Sequence, residues 1–66
     1  MNNYYRIYGK NKNDKKYKAL DCTRGALVNN LIYATLIKET DLDKAKKSIE
    51  YMIENNPDYH FELRAV

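Results

Sequence analysis

Residues 40–66 read TDLDKAKKSIEYMIENNPDYHFELRAV, and the hydrophobic period changes within this stretch. Leu42, Ala45, Ile49, Met52 and Ile53 recur at helical spacing and share one face of an amphipathic helix. From Tyr59 the period is two: Tyr59, Phe61, Leu63 and Ala65 point one way, His60, Glu62, Arg64 and Val66 the other. Thr40 has the chemistry of an N-cap, and Asp43 three residues on imitates a capping box. Asp41 and Asp43 suit the positive end of the helix dipole, and Asp43 precedes Lys47 in the favourable i,i+4 order. Pro57 disfavours helical backbone at Asn56. The spacing therefore predicts a helix over about 41–55 and a strand over 59–66.

Upstream of the helix the chain reads as strands. Residues 4–9 place Tyr5 and Ile7 on one face and Tyr4, Arg6 and Tyr8 on the other. Gly9 opens a polar stretch, Lys10 to Lys16, whose Asn and Asp residues favour local turn bonds; this is a hairpin loop. A second strand runs from Tyr17 to Cys22, with Leu20 and Cys22 expected toward the core. Thr23-Arg24-Gly25 and Asn29-Asn30 read as turns on either side of the apolar Ala26-Leu27-Val28. A third strand is expected over Leu31 to Ile37, where Tyr33, Thr35 and Ile37 alternate with Ile32, Ala34 and Leu36. A helix over 26–39 is the competing reading, weakened by Asn29 and Asn30 and by Gly25 at its start.

The expected fold class is α+β: one domain over 1–66, a small two-layer antiparallel sheet of order β-β-β-α-β packed on one amphipathic helix. A chain of 66 residues buries only about 60% of its unfolded surface, so a deep internal pocket would remove contacts it needs. With 44% apolar and 32% charged residues the chain is outside the disordered class. No apolar run approaches the roughly 20 residues that span a bilayer, and Met1 to Arg6 carry no signal pattern. Cys22 is the single cysteine, which rules out an internal disulfide. The expected setting is the cytoplasm, with no membrane partner.

The order of these features resembles a loose class of small uncharacterised proteins from bacteriophages and integrative elements. The matching pieces are Tyr17-Lys18-Ala19-Leu20-Asp21, Ala34-Thr35-Leu36-Ile37, Leu42 to Ala45 and Phe61 to Val66. The aromatic residue often found in that class before the third strand is absent around Asn29-Asn30. The resemblance implies an accessory protein of a mobile element, acting in the host cytoplasm, and it carries over no catalytic residues.

Chemistry-bearing motifs are sparse. Gly9 and Gly25 are the only glycines, and neither opens a phosphate loop. Zinc needs about four ligands, which one cysteine and one histidine at positions 22 and 60 do not supply. Cys22 and His60 are expected on opposite faces of the sheet, so a nucleophile–base pair is not expected. Asp41 and Asp43 belong to the helix start, and Glu50 and Glu54 to its solvated face. No enzyme activity, metal or cofactor is expected.

Tyrosine is the unusual feature, with seven residues against one Phe and no Trp. If Tyr5, Ile7, Leu20, Ile32, Leu36, Phe61 and Leu63 face the helix, the open face collects Tyr4, Arg6, Tyr8, Tyr17, Tyr33, His60, Glu62 and Arg64. Rings mixed with cations are the composition of interface hot spots, so Tyr4, Arg6, Tyr8, Tyr17, Tyr33, His60 and Arg64 form the candidate binding surface. Lys10, Lys12, Lys15 and Lys16 form a candidate basic loop. Residues 1–30 hold seven basic side chains against two acidic, a local excess of +5, whereas 31–66 hold five against seven, or −2. The leading expectation is a non-catalytic protein-binding module, a regulator or inhibitor, whose partner is another protein or a second copy. The alternative is a single-stranded nucleic-acid binder using the same face and the basic loop, although the Lys/Arg-Gly-aromatic signature of sheet-based RNA readers is missing. A structural piece of a larger assembly is a third reading.

Overall fold

The computed structural model describes residues 3–66. They form five strands and one α-helix: β1 Tyr4–Asn11, β2 Lys18–Asp21, β3 Ala26–Val28, β4 Ile37–Lys38, α1 Leu42–Asn55 and β5 Tyr59–Ala65. All pairings are antiparallel, and β1 lies at the centre. β5 pairs with it from Tyr5 to Asn11, β2 meets it at Tyr8 and Gly9, and β4 meets it at Tyr4 and Tyr5. A strand has two edges, so β2 and β4 follow one another along the edge opposite β5. β3 extends the sheet beyond β2.

β1 runs two residues further than its alternation indicated. Lys10 and Asn11 face His60 and Tyr59, and this distant partner holds them extended. The loop then closes locally: Asp14 N–H donates to Asn11 O at 2.9 Å, and Asn13 N–H to Asn11 Oδ1 at 3.0 Å. Asp21 closes the next turn. Its buried carboxylate accepts from Thr23 N–H at 3.0 Å and Arg24 N–H at 3.3 Å, and Gly25 takes the left-handed φ of 65°.

The core centres on Ile7, 1% exposed, with Leu20 of β2 and Ala45 of α1. The small Ala45 side chain lets the helix backbone approach the sheet at this point. Leu27, Ile37, Ile49, Met52, Phe61 and Leu63 pack around the three, each half-buried. Gly9 is needed for space: a Cβ there would lie 2.8 Å from two ring carbons of Phe61 and 3.1 Å from Leu27 Cδ2.

The middle of the chain departs from the strand pattern that its alternation predicts. Of the strand expected over Leu31 to Ile37 only Ile37 is observed in a strand, as the first residue of β4, and Ala26-Leu27-Val28 supplies the third strand instead. Asn30 explains this. Its Oδ1 accepts from Ile32 N–H at 3.0 Å and its carbonyl from Tyr33 N–H at 3.1 Å, which winds Leu31–Tyr33 into a 3₁₀ turn. A side chain that bonds its own backbone competes with the ladder, and the alternation of Leu31 to Ile37 has no partner strand to satisfy. Ile32 and Leu36, expected to face the helix, are therefore exposed, Ile32 to 83%. Ile53, expected on the apolar helix face, is 45% exposed at its margin.

Thr40 is not the N-cap. It lies within a 3₁₀ turn, Glu39–Asp41, and Asp41 takes the cap position without a side-chain capping bond. The helix start is set instead by the turn's own bond from Leu42 N–H to Glu39 O. Thr40→Ala is accordingly expected to change stability by no more than about 0.5 kcal/mol. A urea melt reads this directly, and a loss of about 1 kcal/mol or more would restore Thr40 as the cap. The far end is closed by asparagines: Asn55 and Asn56 side-chain amides donate to Tyr51 O and Met52 O at 2.8 and 3.0 Å.

Candidate functional site

The face of the sheet away from α1 is built from alternate residues of β1 and β5. Tyr4, Arg6, Tyr8 and Lys10 project from β1, and His60, Glu62 and Arg64 from β5, with Arg6 directly opposite Arg64 and Tyr8 opposite Glu62. Tyr17, just before β2, joins them. At the centre the Arg64 guanidinium sits 4.6 Å from the Tyr8 ring centroid and 4.8 Å from that of Tyr17. Lys10 Nζ lies 5.4 Å from the Tyr17 ring and donates to Asp14 O at 3.0 Å. Glu62 accepts from Arg64 through one carboxylate oxygen and pairs with its Nε and Nη2.

This arrangement resolves an electrostatic difficulty. Arg6 and Arg64 are like charges at facing positions, which is unfavourable in a sheet. Glu62 and two ring faces offset the charge of Arg64, and cation–π contacts of this kind are worth about 0.5–1 kcal/mol each at exposed sites. Arg6 is half-buried beside them, and its Nε has no hydrogen-bond partner among the described residues. The resulting patch is amphipathic, combining two tyrosine rings with the partly exposed guanidinium of Arg64.

Not every expected residue joins the patch. Tyr8, Tyr17 and Arg64 come together, with Arg6 alongside. Tyr33 sits in the 3₁₀ turn after β3 with its ring 5.7 Å from the Arg24 guanidinium, a separate pairing. Tyr4 lies toward the other end of β1, opposite Lys38. His60 is exposed, opposite Lys10. Of the basic loop, Lys12, Lys15 and Lys16 are exposed, but Lys10 belongs to β1 and to the ring cluster. Sequence reasoning placed Lys10 in the loop because the strand-extending partner, His60, lies 50 positions away.

The helix side holds a second feature that sequence reasoning missed. α1 packs mainly over β5 and β4, so the β2–β3 half of the sheet is incompletely covered. A cleft of about 500 Å³ opens there, lined by Leu20, Leu27, Met52, Tyr59, Phe61 and Cys22 among others. The available signal was Ser48, a polar residue between the core positions Ala45 and Met52, which borders this cleft and a smaller one. Cys22, expected in the core, is exposed at both clefts. Its N–H donates to Thr35 Oγ1 at 2.9 Å, which draws the chain away from the β2 ladder just as that strand ends.

Among the described residues no three His, Cys, Asp or Glu side chains are grouped to hold a metal ion. No helix there is long and apolar enough to cross a membrane. The chain matches no family model, and no curated protein or solved structure is significantly similar to it.

Proposed function

We propose that the protein is a non-catalytic binding module that recognises another protein through the Tyr8–Arg64–Tyr17 patch on its open sheet face. The observation that carries this reading is the arginine held between two tyrosine rings. Tyrosine and arginine dominate interface hot spots, and a guanidinium already oriented by two rings and a carboxylate loses little entropy when a partner docks. The resemblance to small bacteriophage and integrative-element proteins supplies the proposed setting: an accessory regulator or inhibitor acting in the cytoplasm.

Single-stranded nucleic acid is the second reading, favoured by Lys12, Lys15 and Lys16, exposed in the loop that joins Lys10 to Tyr17. Against it, one face of both Tyr8 and Tyr17 is taken by Arg64, so a base would have to displace a cation to stack there.

Two measurements separate the readings. In fluorescence anisotropy with mixed-sequence single-stranded DNA and RNA, binding is expected to be weak and to vanish near physiological salt. Capture from nuclease-treated host lysate is expected to retain a protein whose affinity falls about thirtyfold, or roughly 2 kcal/mol, in Arg64→Ala and Tyr17→Ala. Changing Lys12, Lys15 and Lys16 to Gln should leave that affinity nearly unaltered. Micromolar oligonucleotide binding that survives physiological salt and is lost in the lysine variant would replace the first reading by the second.

A further inference from the structure

β5 forms one whole edge of the sheet; among the described residues its only strand partner is β1. The phase of its ladder follows from two bonds at its ends. Lys12 N–H donates to Asp58 O at 2.8 Å and Val66 N–H to Tyr4 O at 2.9 Å, so even-numbered residues of β5 bond inward to β1. The N–H and C=O groups of Phe61, Leu63 and Ala65 then point outward along the free edge. Folded proteins usually guard such an edge with lysine, proline or a bulge. β5 has no lysine, proline or bulge: it reads YHFELRA, its two charges, Glu62 and Arg64, pair with each other, and its register against β1 is unbroken from Tyr59 to Ala65.

We infer that this edge pairs with the same edge of a second copy, as an antiparallel β5–β5 contact with its two-fold axis at Leu63. The strand is complementary to itself in this register. Glu62 of each copy faces Arg64 of the other, Phe61 faces Ala65, and Leu63 meets its own equivalent. The open-face ion pair within each chain thereby becomes a four-member ring of alternating charge. The neighbouring registers are each less favourable. An axis at Glu62 or at Arg64 sets like charges face to face. An axis at Phe61 calls on the Tyr59 N–H, which Asn56 O already holds at 3.0 Å.

The helix layer agrees with this arrangement. Asp41, Lys44, Ser48 and Met52 border the clefts on the β2 side of the helix. At 100° per residue, the opposite flank carries Lys46 and Ile53 toward the β5 edge. Ile53 is 45% exposed there, and a second copy would cover it. The dimer does not depend on the partner proposed above. It would set two Tyr8–Arg64–Tyr17 patches side by side on one continuous sheet.

Sedimentation equilibrium of the full chain, from micromolar to near-millimolar concentration, tests the proposal. Twice the monomer mass is expected at the upper end. Glu62→Arg and Arg64→Glu each set two like-charge pairs face to face and should weaken the dimer about tenfold or more, while the double exchange should restore it. Ala65→Pro removes an outward N–H at an exposed position near the strand end, and should abolish the dimer while circular dichroism stays that of the folded chain. Tyr33→Ala, whose ring pairs with Arg24 in the turn after β3 and lies away from the β5 edge, should leave the dimer intact. A wild-type chain that is monomeric throughout, or a dimer indifferent to both single reversals and to Ala65→Pro, overturns the inference.

Discussion

Truncating Ile7 to alanine is expected to lower the unfolding free energy by about 2–5 kcal/mol. Ile7 is the only large side chain among the described residues that is fully enclosed. It reaches Leu20 and Ala45, and so joins the central strand to the hairpin and the helix. The side chains around it are spread over β2, β3, β4, α1 and β5, each held by its own strand or helix backbone, so they cannot collapse together into the space it leaves. A domain of this length has roughly 3–10 kcal/mol in total, and Ile7→Ala would leave a large fraction of molecules unfolded at 37 °C. Ile7→Val, which removes one methylene group, should cost about 0.5–1.5 kcal/mol. Equilibrium urea unfolding measures both, and an Ile7→Ala midpoint equal to that of the wild type would mean that the core lies elsewhere.

The second large effect lies at the contact between Gly9 and Phe61. Phe61→Ala is expected to cost about 3 kcal/mol, the lower end for a phenylalanine, because the ring is only half-buried. Gly9→Ala should cost about 1–3 kcal/mol, since its new methyl meets ring carbons at 2.8 Å and Leu27 at 3.1 Å. The two changes should not add. Without the ring the methyl has room on that side, and alanine is the better strand residue by roughly 0.5–1 kcal/mol. In the Phe61→Ala background Gly9→Ala should therefore be neutral or mildly stabilising, a coupling of at least about 1 kcal/mol. A double-mutant cycle by chemical denaturation gives this value directly. Additive costs, with Gly9→Ala equally harmful in the absence of the ring, would show that the crowding comes from Leu27 or the backbone and not from Phe61.

The parts of the fold legible in the sequence are those whose signal is local and periodic. The helix is observed over Leu42–Asn55 against an expected 41–55, and the last strand over Tyr59–Ala65 against 59–66. Both lie on either side of Pro57, where the period changes abruptly. The hairpin and the turns at Thr23-Arg24-Gly25 and Asn29-Asn30 also follow from turn chemistry. Residues 31–37 did not, because β-branched and aromatic alternation states a preference for strand but cannot provide a neighbour to pair with. Asn30 offered the backbone a nearer acceptor and prevailed. The exposure of Cys22 has the same origin: a strand's alternation ends where its ladder ends, and β2 stops at Asp21. On the open face, the alternation correctly gathered Tyr8, Tyr17 and Arg64. It could not show that Arg64 would lie between the two rings, since that depends on the β1–β5 register.

The central position of β1 has a consequence for how the chain reaches this state. Its facing pairs with β5 run from Asn11–Tyr59 to Tyr5–Ala65, separations of 48 to 60 positions. The β1–β2 hairpin is local and can form within microseconds, whereas its other edge must wait for a long loop to close. Until it does, the backbone from Tyr5 to Asn11 presents an unpaired ladder, and Ile7, enclosed in the finished fold, lacks its cover on that side. Folding should accordingly belong to the slower, topology-limited class despite the short chain, and losses to intermolecular strand pairing should rise with protein concentration during refolding.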